Sequence, residues 1–550
     1  MLLKKLGGYF SNLNFVQPHS QINKPVSNNN QIKVPAVPNI KDEYIYDSPS
    51  PIQELLLKKS ANSNRSDLKK NEPTKQTVLK DVVGDLDGVQ AANKVISLRQ
   101  MQANNEKIET NDLFSFSKVT TNNKLDFLID REAIRDGFFA EIRSAKESIH
   151  MAMVIMNGKR VGQYMTDLLI QKKQENPTMP IRIILDVVTS YAILPFTSAF
   201  WQVRKLKKAG IEVKLNYIWR TGIEHRKLLV VDSKRAICGP SYLSDGSFGN
   251  KKYWKEVKRI SKTNPDIYKQ IFLSEIKGGK KPFEISKNME LPSPHDFSFR
   301  FQGDSVHDLQ ASFLQTWLYH GKKLDTELSD AEVVKKYFPK TEKVSFIDQI
   351  PLKLTHSTPK GVSEMRQNLL AVINFAQKTL DIEISYITMP EFMQELIKAA
   401  KRGVKIRLLV NGKNIDFRLV WYYFKNYYPQ LVQEKNIELR EFDSFTHCKL
   451  IIADSRVVFA STGNPEYLSW ERGFDEIMLI DSPKIAQQVQ TRLLDKDMHH
   501  DRSTIIDEYS LEITPWWHRV FAKILKPVFN FVFRSREPKQ SPRQIIKKLK

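Results

Sequence analysis

A motif that occurs twice constrains this chain more than any other feature. The first copy runs from His225 to Asp232 and the second from His447 to Asp454, and both read His-x-Lys, four mostly apolar residues, then Asp. Equivalent positions are 222 residues apart, since 447 − 225, 449 − 227 and 454 − 232 are equal. The apolar run predicts a buried strand. Because side chains repeat with period two along a strand, His and Lys are expected on one side of its start.

The residues around the two copies predict the same order of helices and strands. Strands alternate with amphipathic helices from Leu125 to the first copy, and helix, strand, helix and strand recur from Met365 to the second. Ile181–Leu185 and Val404–Leu409 are matching apolar strands. Such alternation predicts an α/β fold with a mostly parallel central sheet. The repetition predicts two pseudo-repeated α/β sandwich domains, with one active site at their interface.

Composition and the repeat together divide the chain into parts. Its first part is rich in Asn, Ser, Pro, Lys and Gln, which predicts flexibility, with short helices near Ile52–Lys58 and Val89–Gln102. A basic insert interrupts the first domain and is interpreted as a solvated loop rather than a substrate lid. The expected boundaries are 1–123 for the flexible region, 124–335 for the first domain with its insert at 246–295, 336–512 for the second domain, and 513–550 for a basic aromatic C-terminal segment.

The two ends of the chain bear on membrane contact. The C-terminal segment sets aromatic beside basic residues, as in Pro515–Arg519, which suits a lipid headgroup interface or, equally, a helix packed on the catalytic core. The basic start, Met1–Leu6, is too short for a secretory signal, and no apolar run has the roughly 18 residues of a spanning helix. We therefore expect a peripheral protein on the cytoplasmic face of a membrane, without a transmembrane segment or signal peptide.

Charge and cysteine content narrow the class of protein. The formal net charge of +23 predicts an anionic partner, which is nucleic acid, an acidic lipid surface or a phosphorylated substrate. Cys238 and Cys448 are the only cysteines, which excludes a disulfide scaffold, and buried thiols are expected. The familiar Cys-x-x-Cys and His-Glu-x-x-His zinc motifs are missing from the sequence. We expect neither a metal nor another cofactor.

The paired motif suits the cleavage of a phosphodiester. Lys227 and Lys449 can supply positive charge where negative charge grows, and Asn464 can donate a hydrogen bond to a phosphoryl oxygen. One motif histidine can attack phosphorus and carry a covalent phosphohistidine. The other can protonate the departing alcohol and then take the proton of the acceptor. The sequence therefore predicts a composite site in which His225 and His447 act together.

Four aspartates are candidates for the same site. A carboxylate behind each imidazole would fix its tautomer, and Asp296 and Asp475 are placed to do so, each following the turn after one copy of the motif. Asp232 and Asp454 belong to the motif and are counted among the catalytic candidates. They lie farther along their strands, however, so that bracing the loops that follow is the more plausible role. His150 lies in mid-strand and is predicted to be a hydrogen-bonded core residue.

The chain resembles the phospholipase D superfamily, whose defining motif is H-x-K-x4-D in two copies, and within it the bacterial cardiolipin synthases. The resemblance runs from about Leu125 to Pro527 and includes three further segments: Phe299–Trp317, Tyr386–Pro390 and Gly403–Arg407. It implies two-step phosphatidyl transfer, in which one phosphatidylglycerol gives its phosphatidyl group to the enzyme and a second accepts it, releasing glycerol. The pair of N-terminal transmembrane helices found in many cardiolipin synthases is missing from this sequence.

The turn after the first motif departs from the family pattern. Pro240 and Tyr242 stand where the family often has a small residue and Asn, and Ser241 or Ser244 is expected to replace that phosphate ligand. Which histidine attacks stays open. The family resemblance favours His225, whereas the more complete turn after the second motif favours the other histidine.

Three other functions are weighed against phosphatidyl transfer. A hydrolytic phospholipase D would release phosphatidic acid. A nuclease of the same fold would explain the charge of +23, but part of that charge lies in tails and loops, which makes nucleic acid a poor candidate partner. A lipid-binding scaffold without catalysis is disfavoured because both His-Lys pairs are complete.

Overall fold

Two sheets, one from each half of the repeat, form the frame of the structure. The computed structural model describes residues 89–108, 112, 119–158, 161–190, 192–244, 295–345, 349–359, 363–415 and 417–512, which all lie in one unit, Ser50–Lys550. No helix in these ranges is both long enough and apolar enough to cross a bilayer.

The first half alternates strands and helices as far as its motif and then continues mainly with strands. The elements before the motif are α1 Val89–Ala103, β1 Val119–Thr120, β2 Asn123–Ile129, α2 Asp130–Ser144, β3 Ile149–Met153, β4 Met156–Asn157, α3 Val161–Glu175, β5 Ile181–Asp186, α4 Val187–Ser190, α5 Ser198–Lys208, β6 Glu212–Asn216, α6 Ile218–Thr221 and β7 Ile223–Glu224. The elements that follow are β8 Lys227–Val231, β9 Arg235–Cys238, β10 Leu243–Ser244, β11 Phe297–Gly303, α7 Ser305–Tyr319 and α8 Asp330–Tyr337.

Seven of these strands, within the described residues, form one mixed sheet in the order β2, β11, β9, β8, β3, β5, β6. Only β3, β5 and β6 run parallel to one another, and the other neighbours are antiparallel. The prediction of a mostly parallel sheet is therefore wrong. The cause lies in the motif itself, because Asp232 and Ser233 both have left-handed φ values, 54° and 53°, and turn the chain straight back as a hairpin.

The second half repeats this arrangement in a larger sheet. Its elements are β12 Leu352–Ser357, α9 Glu364–Phe375, β13 Thr379–Ile384, α10 Pro390–Lys401, β14 Lys405–Asn411, α11 Arg418–Phe424, a 3-10 turn Lys425–Tyr427, α12 Tyr428–Val432, β15 Ile437–Phe442, β16 Lys449–Ala453, β17 Val457–Ser461, α13 Tyr467–Glu471, β18 Gly473–Asp481, α14 Pro483–Val489, a π-helical turn Gln490–Leu494, α15 Asp495–Asp497, β19 Ser503–Ile505 and α16 Glu508–Glu512. In the described part of the chain the order is β1, β12, β18, β17, β16, β13, β14, β15, β19, with β7 also paired to β18. The α/β fold with two repeats is confirmed.

Three apolar cores explain why the motif strands are apolar on both faces. Leu228 and Val230 of β8 join the core that lies between the two sheets, whereas Leu229 and Val231 join the core beneath the helices of the first half. The same alternation occurs along β16, where Leu450 faces the inter-sheet core. Helix α7 fills the space between the sheets, packing on β11, β3 and β8 as well as on β12, so nearly all of its side chains are buried. Both motif strands therefore pack against the same inter-sheet core.

Part of the region predicted to be flexible is ordered. Helix α1 buries Val95 and Leu98 in the inter-sheet core, and β1 pairs with β12 of the second half. The boundary expected at 123 is therefore wrong for these two elements, since the apolar residues of a short helix sufficed to dock it on α7. The helix expected near Ile52–Lys58, almost all of the insert and the C-terminal segment 513–550 lie outside the described residues.

Candidate active site

The backbones of the two halves pair with each other at the point where each motif begins. In the first half, β7 pairs in parallel with the start of β18, and the His225 amide donates to the Phe474 carbonyl at 3.1 Å. In the second half, His295 forms a bridge with Thr446, and the His447 amide donates to the His295 carbonyl at 2.8 Å. Each motif therefore lies against the segment that carries the other half's orienting aspartate.

This contact between the halves pairs each histidine with a carboxylate from the opposite half. His225 Nδ1 lies 2.9 Å from Asp475 Oδ1, and His447 Nδ1 lies 3.0 Å from Asp296 Oδ2. A carboxylate at Nδ1 holds the proton on that nitrogen and leaves Nε2 free to act as nucleophile or base. Neither half contains a complete pair by itself.

Asp475 is held by a close-packed turn. Thr462 Oγ1 donates to its Oδ1 at 2.8 Å. A Cβ on Gly463 would lie 2.7 Å from the Asp475 carboxyl carbon, and one on Gly473 would lie 2.4 Å from Oδ2. Both positions therefore need glycine for the carboxylate to reach His225. Burial opposes ionisation of Asp475, but the neighbouring imidazole and the ammonium of Lys227 hold its pKa below the ordinary value.

The second pair has a different electrostatic setting. Burial raises the pKa of Asp296 to about 7, although the ammonium of Lys449 opposes this shift. Burial and the two motif lysines lower the pKa of His447 well below its usual value. The Tyr242 ring meets the His447 ring edge-on, with centroids 5.4 Å apart. The residue that replaces the family's Asn thus packs on the second histidine.

The two lysines are buried and close enough to repel each other. Lys227 Nζ donates to the His225 carbonyl at 2.6 Å and to the Thr462 carbonyl at 3.1 Å, and Lys449 Nζ donates to the His447 carbonyl at 2.6 Å. Burial and the charge of Lys449 lower the pKa of Lys227 to about 7, and burial lowers that of Lys449 to about 8. Burial and the Lys227 charge lower the pKa of His225 to about 4. A bound anion between the lysines would relieve this repulsion.

The remaining phosphate-ligand candidates are buried in the two turns. Asn464 Oδ1 accepts from Ser385 Oγ at 2.8 Å, and its Nδ2 donates to Glu466 Oε1 at 3.3 Å, so its amide is oriented from both sides. Burial raises the pKa of Glu466. Ser241 is buried next to Tyr242. The structure places Asn464 and Ser241 in equivalent turns but does not by itself assign a phosphate to either.

Asp232 and Asp454 lie away from the histidines. Each stands at the far end of its motif strand, seven residues or about 23 Å along the chain from the motif histidine at roughly 3.3 Å per residue. The Asp232 carboxylate accepts from the amides of residues 146–148 at 2.7–3.1 Å, and that of Asp454 accepts from the amides of residues 377–379 at 2.7–3.3 Å. The catalytic role counted for them is therefore corrected to a structural one. They fix the start of the neighbouring strand as well as their own hairpin.

The residue between His and Lys differs most between the two copies. Arg226 is fully buried, donates to Glu224 Oε2 at 2.6 Å and Ser312 Oγ at 2.9 Å, and lies 3.5 Å from Glu476. Its counterpart, Cys448, is a buried free thiol in the inter-sheet core, and Cys238 is likewise free. Sequence reasoning missed the arginine network, because its members come from three separate segments.

His295 was also missed. It lies between Asp130 (Nδ1–Oδ1 2.5 Å) and Asp497 (Nε2–Oδ2 2.7 Å), and these carboxylates raise its pKa well above the usual value despite burial. A charged His295 pins the backbone that precedes Asp296. Its position directly before an expected site residue was the one available signal. His150, by contrast, pairs with Gln310 in the core as predicted.

Within the described residues, the one group of His and Asp side chains close enough to share a cation is His499, His500 and Asp501, which are exposed and do not include a motif histidine. Two imidazoles, each bonded at Nδ1 to a carboxylate, thus lie beside two buried lysines. Such a set of groups is chemically able to perform nucleophilic attack on phosphorus with acid–base assistance.

Comparison with known proteins finds relatives that match both halves of the chain. A family model described as the cardiolipin synthase phospholipase-D-like domain matches residues 138–270 and 369–498. Cardiolipin synthase of Clostridium perfringens (strain SM101) is 23% identical over 400 residues, which is 70% of this chain and 72% of that protein. Cardiolipin synthase 2 of Bacillus anthracis is 24% identical over 379 residues, 65% of this chain and 61% of that one.

A solved structure shares the fold. Phosphatidylserine synthase of Haemophilus influenzae superposes with a TM-score of 0.54 over 80% of this chain and 98% of its own, at 15% identity. The resemblance predicted from the motifs is confirmed by these matches. The chain therefore carries two phospholipase-D-like repeats, and bacterial cardiolipin synthases are among the relatives that it resembles.

Proposed function

We propose that this protein is a phosphatidyltransferase of the phospholipase D type, similar to cardiolipin synthases, which acts on phosphatidylglycerol through a covalent phosphohistidine. The observation that carries the proposal is the crossed pairing of His225 with Asp475 and of His447 with Asp296 beside two buried lysines. This arrangement provides a nucleophile, an acid–base group and charge for one phosphate.

The nucleophile in this proposal is His225. The complete turn after the second motif serves the first histidine, because Thr462 binds both Asp475 and Lys227. Asp475 keeps its charge, and its hydrogen bond leaves His225 Nε2 with a free lone pair. In the sequence, the family resemblance and the more complete second turn favoured different histidines. With this contact, both favour His225.

The reaction follows from these positions. The His225 Nε2 lone pair forms a bond to phosphorus, and the bond from phosphorus to the glycerol headgroup oxygen breaks. His447, protonated in the presence of the phosphate anion, gives its Nε2 proton to that oxygen, and glycerol leaves. Neutral His447 then takes the proton from a hydroxyl of a second phosphatidylglycerol, whose oxygen attacks phosphorus and frees His225. The products are cardiolipin and glycerol.

The experiment that tests the proposal measures products from phosphatidylglycerol vesicles. Purified protein should release glycerol and form cardiolipin in equal amounts, without added metal. If phosphatidic acid is the only lipid product, the protein is a hydrolytic phospholipase D. If neither product forms while DNA or RNA is cleaved, the charge of +23 reflects a nuclease and the proposal fails.

A further inference from the structure

The loop that follows β5 holds large apolar side chains in solvent. Phe196 is 82% exposed, Trp201 54% and Ile193 42%. In a protein without a partner at that surface, such a cluster of apolar side chains is unusual. We refer to these three residues, together with Phe417 of the second half, as the aromatic rim.

The rim is rigid in its first half. The Thr197 amide and hydroxyl both donate to the Leu194 carbonyl, at 2.9 and 2.8 Å, which closes a tight turn with Phe196 near its tip. The Thr197 hydroxyl also caps α5, accepting from the Phe200 amide. Local hydrogen bonds therefore define the turn and the helix start from which Phe196 and Trp201 extend into solvent.

The loop that carries the first part of the rim is attached at the edge of the sheet where the first motif begins. Its loop starts where β5 ends at Asp186, and Asp186 Oδ2 accepts from the amide of Glu224, the residue before His225. On the other side, Gln202 of α5 donates to the Gly158 carbonyl, which directly follows β4. β4 pairs with β10, the strand that follows Tyr242. The loop is thus tied to both sides of the first motif's opening.

The second half repeats the device. Asn411 ends β14, the counterpart of β5, and exchanges hydrogen bonds of 2.8 Å with the backbone of Thr446, the residue before His447. The loop that follows leads to Phe417, which is 37% exposed. Lys413 and Arg418 beside it are also exposed. Both motif entrances therefore carry an exposed aromatic residue.

The charge around the rim identifies its partner. Residues 187–208 contain four basic and no acidic side chains. Arg204, Lys205, Lys207 and Lys208 are exposed on α5, and the Arg204 guanidinium lies 5.7 Å from the centroid of the Trp201 ring. Aromatic residues beside basic ones suit the headgroup region of an anionic bilayer.

We propose that the aromatic rim docks the protein on an anionic phospholipid bilayer and thereby faces both motif entrances toward the membrane, an inference that rests on the proposed lipid substrate. Phe196 and Trp201 insert among the headgroups, and the basic face of α5 binds lipid phosphates. A lipid headgroup then reaches the two histidines without leaving the bilayer surface.

The test is sedimentation of the full-length protein with vesicles of phosphatidylcholine containing phosphatidylglycerol. The double variant Phe196→Ser/Trp201→Ser should lose at least about tenfold in vesicle affinity. Tyr509→Ser is the matched control, because Tyr509 is 67% exposed on α16, beyond the end of β15 that is remote from the motifs, and should bind as the wild type does. Lys205→Glu/Lys207→Glu should weaken binding to these vesicles more than binding to pure phosphatidylcholine.

A second readout separates this proposal from the proposed function. With a short-chain phosphatidylglycerol kept monomeric in solution, the double variant should retain activity within about twofold, while its activity on vesicles falls with its binding. If the double variant binds vesicles as the wild type does, the rim does not dock the protein on the membrane. If its oligomeric state also changes, the rim joins two copies of the chain instead. If the wild type converts neither lipid, the proposed transfer reaction is wrong. The vesicle-binding measurement then still shows whether the rim docks on the bilayer.

Discussion

The two copies of the motif share one backbone plan and differ in what surrounds it. Both begin at a backbone contact with the other half, a short strand before His225 and a single bridge before His447, and both end in an Asp-Ser hairpin. The first copy has buried Arg226 where the second has Cys448, and the turns that follow differ at Tyr242 and Asn464.

Because each turn contributes to the surroundings of the other half's histidine, a difference in one turn affects the opposite motif. The turn after the second motif completes the surroundings of His225, and the altered turn after the first motif packs on His447. Duplication thus supplied two similar histidines, and the exchanged neighbours gave them different settings. We infer that the turn after the second motif supports the attack on phosphorus and that the turn after the first motif acts on the histidine that exchanges a proton with the alcohol.

Removal of either motif histidine should have the largest effect, because it should abolish turnover. We expect His225→Ala and His447→Ala each to lower kcat by at least about 10³-fold, with the double variant no slower than the slower single variant, because the two act as one unit. Steady-state turnover of phosphatidylglycerol measures this. His499→Ala, at an exposed histidine, should leave kcat unchanged, and substantial turnover by either motif variant would contradict a composite site.

The two aspartates should differ in their effects. Asp475→Asn should lower kcat by about 10²-fold or more, because it removes a carboxylate that stays ionised beside His225. Asp296→Asn should cost about tenfold, since burial raises the pKa of Asp296 to about 7 and less charge is lost near neutral pH. Asp501→Asn is the exposed control. Equal losses at Asp475 and Asp296 would show that the two settings are equivalent.

The pH dependence should report the two lysines. With pKa values of about 7 for Lys227 and about 8 for Lys449, both side chains are positively charged at low pH and lose that charge as the pH rises. We expect kcat/KM to fall above about pH 7, approaching about tenfold per pH unit for each essential group. Because the bound phosphodiester favours the charged lysines, the fall in kcat should begin at higher pH. A kcat/KM profile that stays flat to pH 10 would contradict the assigned role.

The smallest effect on activity should come from the hairpin aspartates. Asp232→Ala leaves three buried or partly buried amides without an acceptor, and we expect it to lower the free energy of unfolding by about 2–4 kcal/mol. Asp454→Ala leaves one partly buried and two exposed amides without an acceptor, so we expect a smaller loss of about 1–2 kcal/mol. Urea denaturation measures this loss, and kcat of the folded protein should change by less than about twofold. Asp→Gly variants, which relieve the left-handed φ, separate the backbone contribution. A large loss of kcat in a stably folded variant would restore a catalytic role.

The sequence predicted the parts whose signal is local. The apolar run of each motif strand predicts burial on both faces, and β5 and β14 were recognised for the same reason. The hairpin after Asp232 was missed, and with it the mixed sheet, because a left-handed Asp-Ser turn has no strong composition signal. Helix α1 was placed correctly within a region otherwise predicted to be flexible.

The contacts that define the site could not be predicted from local patterns. Asp296 and Asp475 were identified as orienting groups, but their exchange between halves depends on strand pairing across the interface. The buried Arg226 network and the doubly paired His295 join residues that are up to 250 positions apart. Such contacts follow from tertiary packing, which a single sequence does not reveal.

The most direct test of the account is to trap the covalent intermediate. A phosphatidyl ester of p-nitrophenol, whose phenolate leaves without a proton, should react with His447→Ala and leave the phosphatidyl group bound, because no base remains to activate an acceptor. Digestion with trypsin under neutral conditions separates Thr221–Arg226, which contains His225, from Glu441–Lys449, which contains position 447. We expect the adduct on His225 in His447→Ala and no adduct in His225→Ala. An adduct on His447 in His225→Ala, with none in His447→Ala, would contradict it.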